Sequence, residues 1–124
     1  CVNATPSQKE ELRLLAEELD AIRYSDETAK NISEIHHHFH MTMARFTGRE
    51  ILVSTLRRAN LFWLLWRGVK SRRSKADLPD YWHRRLLDAV FSGDTRIAEE
   101  AMREHIRDAF VPLMTDMGVA IDPL

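Results

Sequence analysis

The chain has 124 residues, enough for one domain with a buried core and too few for two. Its 18 Lys and Arg residues nearly balance its 19 Asp and Glu residues, so the formal net charge of -1 gives no general electrostatic attraction to nucleic acid or to an acidic membrane. The single cysteine, Cys1, excludes an internal disulfide framework and a cysteine-rich zinc module. The longest apolar run, residues 61–66, is too short for a membrane span, and the N-terminus has no signal-peptide pattern, so we expect a cytoplasmic protein.

Apolar residues recur at helical spacing along the whole chain, and no segment alternates with the period of two that is typical of a strand. A capping box formed by Ser7 and Glu10 predicts the start of a first helix. A second helix is predicted from about Asp26 to Gly48. The next segment, residues 49–70, is apolar on more than one face and is predicted to be one continuous, central helix.

A polar, basic connection is predicted over residues 71–77. Pro79 is placed at the start of a fourth helix, which ends at Gly93. Asp94 is predicted to cap the fifth helix, and Pro112 is expected to kink or end it. The predicted fold class is all-α: an antiparallel bundle of five to six helices in a single domain.

Four of the six histidines lie at inward positions on three of the predicted helices. His36 and His40 are four residues apart, which places two imidazoles one turn apart on a face that also carries Phe39. His83 and His105 lie on the apolar stripes of the fourth and fifth helices. Two further histidines are rotated away from this face and are expected to be exposed: His37 and His38.

Burying four imidazoles without partners would carry repeated desolvation costs, whereas one shared ion would give every ring a partner. We therefore interpret these four histidines as the ligands of one divalent transition metal, with zinc or nickel as the expected ion. Two alternatives stay open: a structural bundle of buried histidines without metal, and a helical-bundle metalloenzyme. The enzyme would need a general base near the metal, and the ligand helices show no clear Glu beside the histidine face.

Three segments resemble the motifs of a known family. His36-x-x-Phe39-His40, followed by Thr47-Gly48, resembles the D-x-x-F-H…S-G-N signature of FCD domains, the C-terminal effector-binding domains of regulators in the FadR subfamily of the GntR family. Residues 83–94 are similar to the family pattern H-x-x-I/L-I/L-x-A-I/V-x-x-G-D, and residues 98–106 are similar to A-x-x-x-M-x-x-H-L/I. The resemblance spans residues 6–113.

The resemblance implies a helical bundle that holds a divalent metal and uses it to bind a small carboxylate effector. His40, His83 and His105 match the family's ligand positions, whereas His36 stands where the family has Asp. This exchange removes one negative charge and makes the site more electropositive. The Asn that usually follows the glycine of the first motif is replaced by Arg49.

The effector's carboxylate also has candidate partners on the third predicted helix. Arg67 shares the general face of Asn60 and Trp63, so Arg67 and Asn60 are candidate effector-binding residues, Arg67 through a bidentate contact.

In this family a winged helix-turn-helix domain precedes the effector domain and binds operator DNA. The chain is therefore expected to be a fragment, residues 1–124, that forms a homodimer and meets DNA only through that missing domain. The basic run 72–75 is interpreted as a solvated loop rather than a phosphate-contact patch.

Overall fold

The computed structural model of the chain describes residues 4–71 and 78–119. The described residues form six α-helices and no strand, which confirms the predicted all-α bundle. The basic run 72–75 and Cys1 lie outside the described residues. In chain order the helices are α1 (Pro6–Ala21), α2 (Ala29–Phe46), α3 (Glu50–Arg58), α4 (Leu61–Ser71), α5 (Trp82–Val90) and α6 (Thr95–Asp116).

Five of the helices pack in a closed ring. In order, α1 packs against α2, α2 against α4, α4 against α6, α6 against α5, and α5 against α1, whereas α3 lies against α2 and α4 only. The backbones of α2 and α5 are not neighbours in this ring, so their side chains meet across its interior.

An apolar core fills the space between α1, α2 and α5. Its members follow the helical spacing of the sequence, because residues three or four apart share one face. Phe39 is fully buried in this core and meets the His83 ring of α5 edge to face, with ring centroids 5.6 Å apart. The other most deeply buried members are Leu12, Ala16, Leu19 and Ile32.

The first helix begins earlier than its predicted capping box. Thr5 is the N-cap: its side chain accepts a hydrogen bond from the Gln8 amide, and the Thr5 amide donates to Gln8 Oε1 at 2.9 Å. The prediction that Ser7 and Glu10 form this box is therefore wrong by two residues. The Thr5-to-Gln8 spacing has the same pattern, and Pro6 at the first helical position favours it.

The predicted continuous helix over residues 49–70 is two helices. Ala59 ends α3, and Asn60 adopts a left-handed φ of 52° before α4 begins at Leu61. Asn tolerates this conformation better than most residues, because its short polar side chain bonds locally. The prediction of one central helix is wrong for α3, which has one buried residue, Val53, among those described.

Three other predicted boundaries differ from the structure. The second helix begins at Ala29 rather than near Asp26, but Gly48 follows its end with a φ of 69°, as the prediction of a glycine stop requires. The fourth predicted helix, α5, begins at Trp82 rather than Pro79. The last helix continues through Pro112 to Asp116.

The N-cap of α6 is the residue that the sequence predicts. The Asp94 side chain accepts hydrogen bonds from the amides of Arg96 and Ile97, at 2.8 and 3.2 Å. In the described part of the chain, no helix is both long and apolar enough to cross a membrane.

Candidate metal centre

The two histidines of α2 lie one turn apart on the inner face of the ring. Their Nε2 atoms are 2.9 Å apart, and the ring centroids are separated by 4.7 Å. His36 is 3% exposed, whereas His40 is half-buried. The His40 ring also meets the fully buried Phe39 edge to face, so the core as well as the helix backbone positions this histidine.

Histidines from α5 and α6 complete the group across the interior of the ring. The Nε2 atom of His105 lies 3.4 Å from that of His36, and the His83 ring is perpendicular to the His36 ring at 4.7 Å between centroids. His36, His83 and His105 each offer a ring nitrogen, and these three atoms lie within 4.8 Å of one another. The structure therefore brings three of the predicted ligands together, and His40 lies beside them through its contact with His36.

Burial keeps His40 in its neutral form. Burial lowers the pKa of His40 to about 3, and the nearby His83 and His37 lower it further by charge repulsion. Two Nε2 atoms 2.9 Å apart hold at most one proton between them. Metal binding requires neutral imidazoles, because each coordinating nitrogen must offer a lone pair.

His83 is oriented by Asp20, which the sequence reading missed. Asp20 Oδ1 accepts hydrogen bonds from the His83 ring Nδ1 at 2.8 Å and from the His83 amide at 3.0 Å. Asp20 Oδ2 accepts a third from the Arg84 amide at 3.1 Å. A proton on Nδ1 fixes the tautomer of His83 and leaves Nε2 as its lone-pair nitrogen.

Asp20 also caps α5. The N-cap position, Tyr81, has a left-handed φ of 54° and makes no side-chain cap hydrogen bond, so the carboxylate from α1 takes over that role. Burial raises the pKa of Asp20, but the hydrogen bonds and charge of His83 outweigh it, so the pKa is below its ordinary value. The helical spacing could have indicated that Asp20 faces the core, since Asp20 lies four residues after the buried Ala16 on the apolar face of α1.

Trp82 closes one side of the histidine group. Its ring stacks on the His105 imidazole, with centroids 3.9 Å apart and planes inclined by 21°. Trp82 is 7% exposed and also meets His36 edge to face. Trp82 therefore packs on two of the histidine rings, those of His105 and His36.

On the other side, a cavity of about 510 Å³ opens beside His40 and His105. It lies between α2, α3, α4 and α6, and its wall is mainly aliphatic, including Leu56, Leu65 and Met102. None of the described residues that line it is Lys or Arg. A metal held by the histidines would therefore be the only positive charge beside this cavity among the described residues.

The other candidate effector-binding residues lie elsewhere. Asn60 is exposed in the turn between α3 and α4, and Arg67 is exposed with its Nη2 3.8 Å from Met117 Sδ. Neither residue is among those that line the cavity. Of the two histidines expected to be exposed, His38 is exposed, whereas His37 is half-buried against Phe62.

The donor set suits a borderline transition metal. Four imidazole nitrogens from three helices match the ligand preferences of zinc or nickel, and no carboxylate joins this group among the described residues. The hydrogen bond from His83 to Asp20 is the outer contact that commonly supports a metal-ligating histidine. The residues present therefore fit a divalent transition metal held by histidines, as the chemistry of the donor atoms requires.

Comparison with known families identifies the chain. The family model of the FCD domain matches residues 1–108, most of the chain. No curated protein and no solved structure matches it. FCD domains are the effector-binding regulatory domains of GntR-type regulators, and this chain belongs to the FCD domain family.

Proposed function

We propose that this chain is the sensing domain of a FadR-type transcription regulator and binds a small organic acid through a divalent transition metal. The single observation that carries the proposal is the cluster of His36, His83 and His105, with His40 beside it, next to a largely apolar cavity. Four neutral ligands would leave the full charge of a divalent ion in a site of low dielectric, which favours an anionic ligand. The metal would supply this positive charge, and zinc or nickel suits the nitrogen donors.

The protein's own residues prepare the site. Asp20 holds the His83 ring in one orientation, and Trp82 stacks on the His105 ring. The large cavity gives a ligand an approach to His40 and His105. A bound acid would touch α2, α3, α4 and α6 together, so it would favour one packing of these helices over another.

The regulatory output would lie outside this domain. A change in helix packing would reposition the winged helix domains of a homodimer, and operator DNA would be met only through those domains. The near-zero net charge of the chain agrees with a module that senses a ligand and leaves DNA contacts to an attached domain. Such a regulator would act in the cytoplasm.

A metalloenzyme would need a general base beside the metal. Glu99 is the carboxylate among the described residues that line the large cavity, and it is engaged on the helix surface by Arg103 at 2.9 Å. Glu104 and Asp108 line a smaller pocket beside His105 and not this cavity. The large cavity therefore suits the sensing of a ligand better than catalysis.

Isothermal titration of zinc into untagged, chelator-treated protein tests the metal site. The wild-type chain should bind one equivalent, and His83→Ala and His105→Ala should abolish this binding. His38→Ala is the matched control, because His38 is an exposed histidine two residues from His36, and it should bind zinc like the wild type. Unchanged stoichiometry in both His83→Ala and His105→Ala would contradict the proposed site.

A thermal-shift experiment with sodium acetate then tests carboxylate binding. Acetate should raise the unfolding temperature of the zinc-loaded protein and leave that of the metal-free protein unchanged, because only the metal supplies a cation in the described cavity wall. Equal shifts with and without zinc would contradict a metal-dependent sensor.

A further inference from the structure

We infer that the effector is a monocarboxylate with an aliphatic tail rather than a short or polyhydroxylated acid. This inference rests on the proposed function, since it takes the metal as the partner of the carboxylate. It adds the chemistry of the rest of the ligand, which the cavity wall determines.

The wall offers almost nothing to a second polar group. Leucine, alanine and other aliphatic side chains, most of them from α2, α3, α4 and α6, make up most of the described lining. A hydroxyl or second carboxylate placed there would lose its water without gaining a partner, which is costly in an apolar environment. An alkyl tail would lose only unfavourable contact with water.

The few polar side chains of the wall are already engaged. The Thr47 hydroxyl donates to the Ala44 carbonyl at 2.6 Å and accepts from the Arg49 amide at 3.2 Å. Glu99 carries a negative charge, and its Oε1 accepts two hydrogen bonds from Arg103. Thr47 therefore has no proton left to donate to a polyhydroxylated acid, and Glu99 would repel a second carboxylate.

The size of the cavity also favours a ligand with an aliphatic tail. At roughly 30 Å³ per water-sized group, 510 Å³ has room for on the order of 15 non-hydrogen atoms. Along α6 the lining runs from Ala98 to Phe110, about 18 Å of helix at 1.5 Å per residue, with His105 between the two ends. An acid of two to four carbons would leave most of this apolar wall in contact with water, whereas a tail of about eight carbons would cover much more of it.

Titration of the zinc-loaded protein with octanoate tests the inference against three matched acids. Each buried methylene adds about fourfold to affinity, so octanoate should bind at least about 100-fold more tightly than acetate even if the tail is covered only in part. Octanedioate, with the same length and a second carboxylate, should bind at least about tenfold more weakly than octanoate. Gluconate should bind no better than acetate.

A pair of neighbouring substitutions locates the tail. Leu52 lines the cavity and is 38% exposed, whereas Ile51 is 70% exposed and is not among the lining residues. Leu52→Glu should weaken octanoate binding at least about tenfold, because it places a negative charge against the tail, and it should leave zinc and acetate binding unchanged. Ile51→Glu, the control, should leave all three unchanged.

The outcomes separate this inference from the proposed function. Zinc-dependent binding of acetate or gluconate as tight as that of octanoate would overturn the aliphatic tail and leave the metal-dependent sensor standing. Equal octanoate binding by wild type and Leu52→Glu, or by zinc-loaded and metal-free protein, would also overturn the inference. If zinc changes the binding of none of these acids, both proposals fail.

Discussion

Replacing Asp20 by Asn tests how the site is organised, because the side chain keeps its shape and loses its charge. Three N–H groups of α5 donate to the two oxygens of Asp20, at 2.8, 3.0 and 3.1 Å. Asn has one acceptor oxygen, which can still accept the hydrogen bonds from His83. Its NH2 group would replace the oxygen that accepts from the Arg84 amide, so two donors would face each other there. One backbone hydrogen bond is lost, and the bond to the His83 ring is no longer charge-assisted.

The size of the effect follows from these contacts. Loss of a hydrogen bond to a charged group costs about 1.5–3 kcal/mol, so the metal-free Asp20→Asn protein should be less stable by about 1–3 kcal/mol. Outer-shell partners of metal-ligating histidines typically contribute 10–100-fold to affinity, so the zinc Kd should rise by about that factor. Both effects have one origin, since Asp20 caps α5 and fixes the tautomer of His83.

Urea unfolding of the metal-free protein measures the first effect, and zinc titration against a competing chelator measures the second. Glu18→Gln is the control, because Glu18 is an exposed carboxylate on the same helix, and both quantities should stay at their wild-type values. A destabilised Asp20→Asn protein that binds zinc with wild-type affinity would refute the reasoning: Asp20 would then cap α5 without orienting a ligand.

Three further predictions concern the fold. Phe39→Ala should lower the free energy of unfolding by about 3–5 kcal/mol, measured by urea denaturation, since Phe39 is fully buried; a loss below 1 kcal/mol would contradict its central place. Asn60→Val should destabilise the protein by about 1–2 kcal/mol, whereas Asn60→Gly should not, because the φ of 52° is left-handed; equal effects would contradict that conformation. Because the pKa of His40 is lowered to about 3, the unfolded chain binds the extra proton as the pH falls from about 6.5 towards 3, so the metal-free protein should lose stability over that range. His40→Gln should flatten this dependence, and an unchanged slope would contradict the pKa shift.

The histidine group could be predicted from the sequence because its members carry a local signature. His36 and His40 have the four-residue spacing of one helix face, and His83 and His105 interrupt apolar stripes. In a helix the spacing of residues determines which face they lie on. Four histidines on the inward faces of three helices are therefore predicted to lie close together. The all-α class followed from the same periodicity.

Features that depend on contacts between distant residues could not be predicted in this way. Asp20 and His83 are 63 positions apart, and nothing in the local pattern of either helix specifies their hydrogen bond. The break at Asn60 was hidden because the apolar pattern continues on both sides of it. The roles proposed for Asn60 and Arg67 remain predictions, since shared position on a helix face does not decide which surface that face meets.

The central claim is that the four histidines hold one metal ion. X-ray absorption spectroscopy of the zinc-loaded, untagged protein tests it most directly, because scattering from imidazole rings distinguishes histidine from other ligands. We expect three to four imidazole nitrogens at about 2.0–2.1 Å from the metal. This set of ligands should be lost in His105→Ala and kept in His38→Ala. A shell of one or two imidazoles, or one dominated by oxygen or sulfur, would contradict it.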